Sequence, residues 1–373
     1  MTDPSHPDAA ARSPRALRAL PKAHTHLHLD GGYPLAAVQR LARAQGASFE
    51  RPARFRDAGE FFTAYGTVPA LVRDLHDLAE LCVALVHAEA QAGVLYLEPS
   101  IEPQLYSPRL GDLDTVTRTI VDALQRGAAE TGIDVGANLT VNTGLDARPA
   151  EELARLATRF AGAGVTAFGT AGPDDPGGPQ RFERAARIAR DAGLQVVIHA
   201  GQTGGPVDGP ASVRAALDVL GATRISHGVH AIHDPELLAR LAAEGIVCDI
   251  CPASNVALGV AASLQTHPAP AMLAAGVPIT LNADDPLWFG ADITAQYEIA
   301  RRVWGIDDAG LARIAGNGVR LPSLSAPVRA RFEAALEEWI GSEADGSGPD
   351  AAVSDESLPN DAAPDASAGR LAR

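Results

Sequence analysis

Eight short runs, apolar and rich in β-branched residues, recur along the chain with longer Ala-, Leu- and Arg-rich stretches between them. They are residues 23–29, 94–101, 133–141, 165–170, 195–199, 224–228, 246–251 and 278–282. The stretches at 180–192, 210–220 and 235–244 carry apolar residues near a 3.6 period with charges opposite. Several such stretches end in glycine (Gly193, Gly221, Gly245, Gly276), the residue that a left-handed C-cap favours. Strands alternating with helices in this number predict an α/β fold, a (β/α)8 TIM barrel. The interval from Asp30 to Gly93 exceeds one crossover helix and predicts extra helices inserted after strand 1, one of them around residues 58–69. A doubly wound open sheet is the rival. Polar residues at the C-terminal ends of many different runs favour the barrel, because closure brings all those ends to one point.

The 373 residues are 46% hydrophobic and 21% charged, enough for a sizeable core. The net charge of −15 disfavours nucleic acid as a partner. Residues 342–373 hold seven acids against two arginines and almost no large apolar side chain. Such a segment cannot bury enough surface to offset its ordering entropy and reads as a disordered acidic tail. Residues 1–16 read similarly, leaving a folded body over 17–341. No run approaches the ~18–20 apolar residues of a membrane span. Met1 to Arg15 lacks the apolar segment of a secretory signal. Three cysteines, Cys82, Cys248 and Cys251, cannot build a disulfide framework, so a reducing, cytoplasmic setting is expected. A homo-oligomer is compatible with all of this.

Chemistry concentrates at the ends of the runs. In PKAHTHLHLDGG (residues 21–32), His24, His26 and His28 alternate at period two and face one side of a strand. Two imidazoles so spaced can share a metal ion. VVIHAGQTGG ends its apolar run in His199, RISHGVH in His227, and PITLNADDP in Asp284 and Asp285. Singly, each has a structural alternative: a satisfied core histidine, a helix cap or a turn. Together they place three imidazoles and a carboxylate at one barrel mouth, which suits metal-assisted hydrolysis. His227 is left to orient the attacking water. The CDIC run of Cys248 and Cys251 reads as core packing. His230, His233 and His267 read as solvated or capping. Trp288 and Phe289 could wall a pocket or pack in the core.

These motifs resemble the adenosine/adenine deaminase family of the amidohydrolase superfamily. PKAHTHLHLDGG, HAG (199–201), SHGVH (226–230), CPASN (251–255), LGV (258–260), HPAPAMLAAGVPITLNADDP (267–286) and FG (289–290) stand in the family's order over about residues 20–302. The resemblance implies one Zn2+ per chain, held by His26, His28, His199 and Asp284. It implies that His227 positions the attacking water and Asp284 shuttles its proton. Asp285 would contact the purine edge at N7, Asp30 would lie near a ribose hydroxyl beside His28, and Gly172 would offer a backbone N–H.

The chain departs from the family at several positions. The family's HAGE is HAGQ here, so Gln202 replaces the glutamate that protonates the ring nitrogen. An amide can hydrogen-bond that nitrogen but cannot relay a proton. Asp174, Asp175 or Asp208 could supply an acid instead. The second strand reads EPSIEP without the family's arginine, NLTVN is neutral where the third strand ends, and Gly169 stands where the fourth carries an aspartate. Glu98, Glu102, Asn138 and Asn142 would then line a differently charged floor. The expected activity is zinc-dependent hydrolytic deamination of an adenosine- or adenine-type purine nucleoside or base. The alternatives are hydrolysis of another modified nucleoside or heterocycle, or a purine-binding relative with impaired catalysis.

Overall fold

The structure, a computed structural model, describes residues 15–172 and 178–342. Ten strand segments occur among them: β1 (Lys22–His24), β2 (Val94–Leu97), β3 (Ser100–Ile101), β4 (Asp134–Val135), β5 (Ala137–Asn142), β6 (Val165–Ala171), β7 (Gln195–Ala200), β8 (Arg224–His227), β9 (Val247–Ile250) and β10 (Ile279–Leu281). They amount to the eight expected strands, because the second and third are each interrupted. Pro99, which has no N–H for a ladder, separates β2 from β3, and Gly136 separates β4 from β5.

All pairings are parallel. One sheet runs β10-β9-β8-β7-β6-β5-β3 and the other β1-β2-β4. Backbone bonds join the two where the split strands change partners. The N–H groups of Glu98, Ser100, Gly136 and Asn138 donate to the carbonyls of His24, Leu27, Leu97 and Pro99 at 2.9, 2.7, 2.9 and 3.0 Å. Across the last gap, Asp284 N–H donates to His26 O and His28 N–H to Asp284 O, both at 3.0 Å. The ring is closed, and the segment His26–His28 is held against Asp284 by the closure itself.

Both faces of these strands are covered, so they read as continuous apolar runs. Ile198, Ile225, Ile250, Ile279 and Leu281 are fully buried. Between β1 and β2 lie five helices, Leu29–Gly32, Leu35–Ala44, Ala58–Tyr65, Thr67–Leu71 and Leu75–Gln91. Asp57 and Asp74 cap two of them, accepting from Glu60 N and Asp77 N at 2.9 Å. Phe61 from this insertion stacks on Phe289, ring centroids 5.3 Å apart. Trp288 packs against Phe49 at 5.6 Å, so these two aromatics close the insertion onto the barrel.

The barrel interior holds a charged plug. Arg224 pairs with Glu98 and, at 2.9 Å, with Asp249. Tyr96 and Thr166 also donate to Glu98, at 2.7 and 2.8 Å. Glu98 is therefore fully engaged below the mouth and does not line an open floor, as the sequence suggested. At the termini, Arg15 pairs with Asp308 at 3.0 Å and Ala16 O accepts from Trp339 Nε1 at 3.1 Å. These two residues belong to the folded body, against the expected start at 17. Residues 1–14 and 343–373, expected as disordered termini, lie outside the described residues. Among the described residues no helix is long and apolar enough to cross a membrane.

Candidate active site

Four side chains from three strand ends meet at the C-terminal mouth. His26 and His28 follow β1, His199 lies in β7 and Asp284 follows β10. Their ligand atoms all lie within 4.8 Å of one another. Asp284 Oδ1 is 3.3 Å from His26 Nε2 and 3.2 Å from His28 Nε2. His26 Nε2 and His199 Nε2 face each other at 3.1 Å. Donors about 2.1 Å from one ion sit roughly 3.2–3.4 Å apart in a tetrahedral shell. Two facing lone pairs at this distance repel unless a proton or a metal cation lies between them. The donor set therefore fits a metal ion.

Supporting contacts aim the ligands, as metal sites require. Asp249 O lies 3.3 Å from His26 Nδ1, which leaves Nε2 free for the pocket. Ser254 Oγ donates to Asp284 Oδ2 at 2.5 Å. His24 faces elsewhere, contrary to its shared period. Its Nε2 accepts from Ala283 N at 3.0 Å and its Nδ1 donates to Glu89 at 2.6 Å. Among the described non-glycine residues, Asp284 (φ 59°) and His227 (φ 67°) alone adopt left-handed backbone. Such strain costs on the order of 1–3 kcal/mol and clusters at functional sites.

Charge is distributed unequally. Burial opposes the carboxylate form of Asp284, yet His26, His28 and His227 outweigh it and hold the group well below the usual range. Burial opposes protonation of His26 too, but Asp284 raises it. Burial and then the neighbouring histidines push His199 and His227 well below the usual imidazole value. Beside this cluster lie three acids pushed toward the neutral form. Burial raises Asp30 to about 7. Burial and then Asp30 raise Glu102 to about 8. Burial, then Asp284, Asp30 and Glu102 hold Asp285 far above an ordinary aspartate. Tyr106 OH donates to Asp30 Oδ1, and Gln104 donates to Glu102 at 3.0 Å. Among the described residues no lysine or arginine pairs with these three acids.

The other expected site residues take varied positions. Asp285 lies against Gly31, where an added Cβ would meet Asp285 Oδ1 at 1.8 Å. Gly172 follows β6 with φ 103°, and a Cβ there would meet the Asn142 amide at 2.9 Å. Gln202 is half-buried just past β7, and Asp208 is exposed. Asp174 and Asp175 lie outside the described residues. Asn138 donates to Ser100 Oγ at 3.3 Å. Gly169 could carry nothing else, since a Cβ would come within 2.1 Å of Val197 O.

Sequence reasoning missed two features. A second cluster of His26, His227, Cys251 and Asp284 is also compact enough for a metal, so Cys251 borders the site although it reads as simple core. His267 is buried and not solvated, and of its two readings capping is the one that fits, since its Nδ1 accepts from Ala269 N at 3.1 Å. It is 4% exposed and lies 3.1 Å from Asn255 Oδ1. The signal for both was their place inside the matching motifs CPASN and HPAP.

Comparison with known proteins places the chain in a family. Residues 21–339 match the sequence profile of the family described as adenosine deaminase. A Streptomyces virginiae protein with the provisional name adenosine/adenine deaminase is 37% identical over 337 residues, covering 87% of this chain and 98% of its own. An adenine deaminase of Chelativorans sp. is 35% identical over 327 residues, covering 86% and 99%. The crystal structure of adenine deaminase from Arthrobacter aurescens superposes with a TM-score of 0.79 at 26% identity, covering 86% of this chain and 99% of that one. The chain belongs to the adenosine deaminase family, deaminases built on a parallel barrel.

Proposed function

We propose that the chain is a zinc-dependent hydrolytic deaminase of a neutral adenine-type purine, base or nucleoside. The observation that carries the reading is the convergence of His26, His28, His199 and Asp284 within 4.8 Å at one mouth. When bound there, zinc would lower the pKa of a coordinated water toward ~7 and so supply the nucleophile near neutral pH. The protein's own groups do the rest. His227 orients the water and stabilises charge on the attacked ring carbon. Asp284 accepts the water's proton and returns it toward the departing ammonia. Gln202 hydrogen-bonds the ring nitrogen without transferring a proton. Asp285, held neutral, donates to N7, while Asp30 and the Gly172 backbone bound the remaining edge.

The three uncompensated acids Asp30, Glu102 and Asp285 favour a neutral substrate over a phosphorylated one. Among the described residues no lysine or arginine pairs with these acids, so a phosphate beside them would have to be desolvated without a partner. Ammonia release measured over adenine, adenosine and AMP, with Gln202→Glu alongside, tests the proposal. Turnover of a neutral aminopurine, lost in His26→Ala with about one zinc bound per wild-type chain, is the expected result. Binding without turnover in both wild type and Gln202→Glu would instead favour a purine-binding protein. Turnover undiminished in metal-free protein would refute the zinc assignment.

A further inference from the structure

We propose that Asn255 and His267 are positioning residues that fix His227 as a neutral imidazole whose proton sits on Nε2, so that His227 is an N–H donor to the pocket and not a metal ligand. The inference deepens the deaminase reading and rests on it for His227's role.

The reasoning starts from a group whose polarity is not in question. The backbone N–H of Ala269 can only donate, and it lies 3.1 Å from His267 Nδ1. That nitrogen must therefore be the unprotonated one. Burial also lowers the pKa of His267 to about 4, so the ring is neutral at ordinary pH. Its single proton must then be on Nε2, which lies 3.1 Å from Asn255 Oδ1. A donor opposite it fixes the amide with oxygen toward His267 and nitrogen toward His227. Asn255 Nδ2 lies 3.2 Å from His227 Nδ1 and can only donate. His227 Nδ1 must accept, which leaves the proton on Nε2. Asn255 and His227 are fully buried, so water cannot substitute for any partner.

The consequence falls where the chemistry is. His227 Nε2 is buried and has no hydrogen-bond partner among the described residues. The nearest carboxylate oxygen, Asp284 Oδ2, is 3.9 Å away, beyond hydrogen-bond reach. A metal ligand needs a lone pair, and neither His227 nitrogen has a free one: Nδ1 is engaged by Asn255 and Nε2 carries the proton. This separates the two clusters compact enough for an ion. His26, His28, His199 and Asp284 can all turn lone pairs inward, whereas the set containing His227 and Cys251 cannot. A preset donor also costs no reorganisation when it must hold and orient the attacking oxygen.

The test uses zinc-loaded full-length protein with 15N-labelled histidine, and the variants His267→Leu, His267→Gln and Asn255→Asp. In wild type, His227 should show an unprotonated Nδ1 and a protonated Nε2. In Asn255→Asp the carboxylate can only accept, so His227 should move its proton to Nδ1. His267→Leu frees the Asn255 amide to rotate, and kcat should fall about 10–100-fold with KM changed less than about threefold. His267→Gln keeps an N–H donor and should recover most of that loss. All should retain about one zinc per chain. A wild-type His227 protonated on Nδ1, zinc lost from His267→Leu, or equal impairment of the Leu and Gln variants would overturn the proposal. Should no substrate be found, the ring spectra and zinc content still decide the tautomer, so failure of the deaminase reading is told apart from failure of this one.

Discussion

Glu102 shows how a carboxyl can be placed where it cannot ionise cheaply. It is 5% exposed, faces Asp30 and lies near the Tyr65 hydroxyl, with only the amides of Gln104 and Asn142 to solvate it. Its pKa rises from 4.5 to about 8. Between those values the folded state holds a proton that the unfolded chain has released. Stability attributable to this group is therefore lost as pH rises from about 5 to 8. Glu102→Gln removes the ionisation and keeps the shape. The variant should stay within about 1 kcal/mol of wild type near pH 5 and exceed it progressively toward pH 8, by on the order of 4 kcal/mol. Urea unfolding at several pH values reads this directly, and a difference independent of pH would refute it. Gly31 offers a second check at this scale. In Gly31→Ala the new methyl must displace the Asp285 carboxylate, so deamination should fall about 100-fold or more while zinc stays bound. Loss of zinc from that variant would mean that Asp285 and the proposed ligands are not separable.

At the scale of elements, the strands and their polar ends were legible because a parallel barrel strand is buried on both faces and must read as an apolar run. Its last residue emerges at the mouth, so His199, His227 and Asp284 stand out as titratable groups closing such runs. What the sequence conceals is which way a side chain turns once the run has ended. His24 shares the period of His26 and His28, yet Ala283 N and Glu89 capture its ring. Glu98 looks free in sequence because its partner Arg224 is 126 residues away. His267 looks solvated because only the fold shows the Asn255 amide waiting for it. The interruptions at Pro99 and Gly136 do have a local signal, a missing N–H and a missing side chain. The insertion is a further element whose role appears only in three dimensions, through the stack of Phe61 on Phe289. Phe61→Ala should cost about 3 kcal/mol, as truncation of a buried aromatic does. It should also raise KM more than it lowers kcat, because the insertion borders the mouth and carries none of the proposed ligands. A kcat loss at unchanged KM would contradict that division.

Over the whole molecule, closure of the barrel and the proposed ion site draw on the same residues. The bonds that seal the ring run between the His26–His28 segment and Asp284, so the residues that close the cylinder are those proposed to grip zinc. Without a metal cation, the facing nitrogens of His26 and His199 need a proton between them, and the strain at Asp284 and His227 has less to offset it. Zinc bound to the folded state alone should stabilise it by RT ln(1 + [L]/Kd), about 2.7 kcal/mol when free zinc is a hundredfold above Kd. A change of that size moves the Tm of a domain this large by roughly 4 °C. Chelation should therefore lower Tm by that order, and titrating zinc back should restore it with a one-to-one endpoint. Hydrogen exchange would locate the loss. The amides of His28 and Asp284, which bridge the first and last strands, should exchange faster in the chelated protein, while those of β6 and β7, opposite the seam, should keep their protection. Uniform acceleration across the barrel would show instead that the ion stabilises the fold globally and that closure does not depend on it.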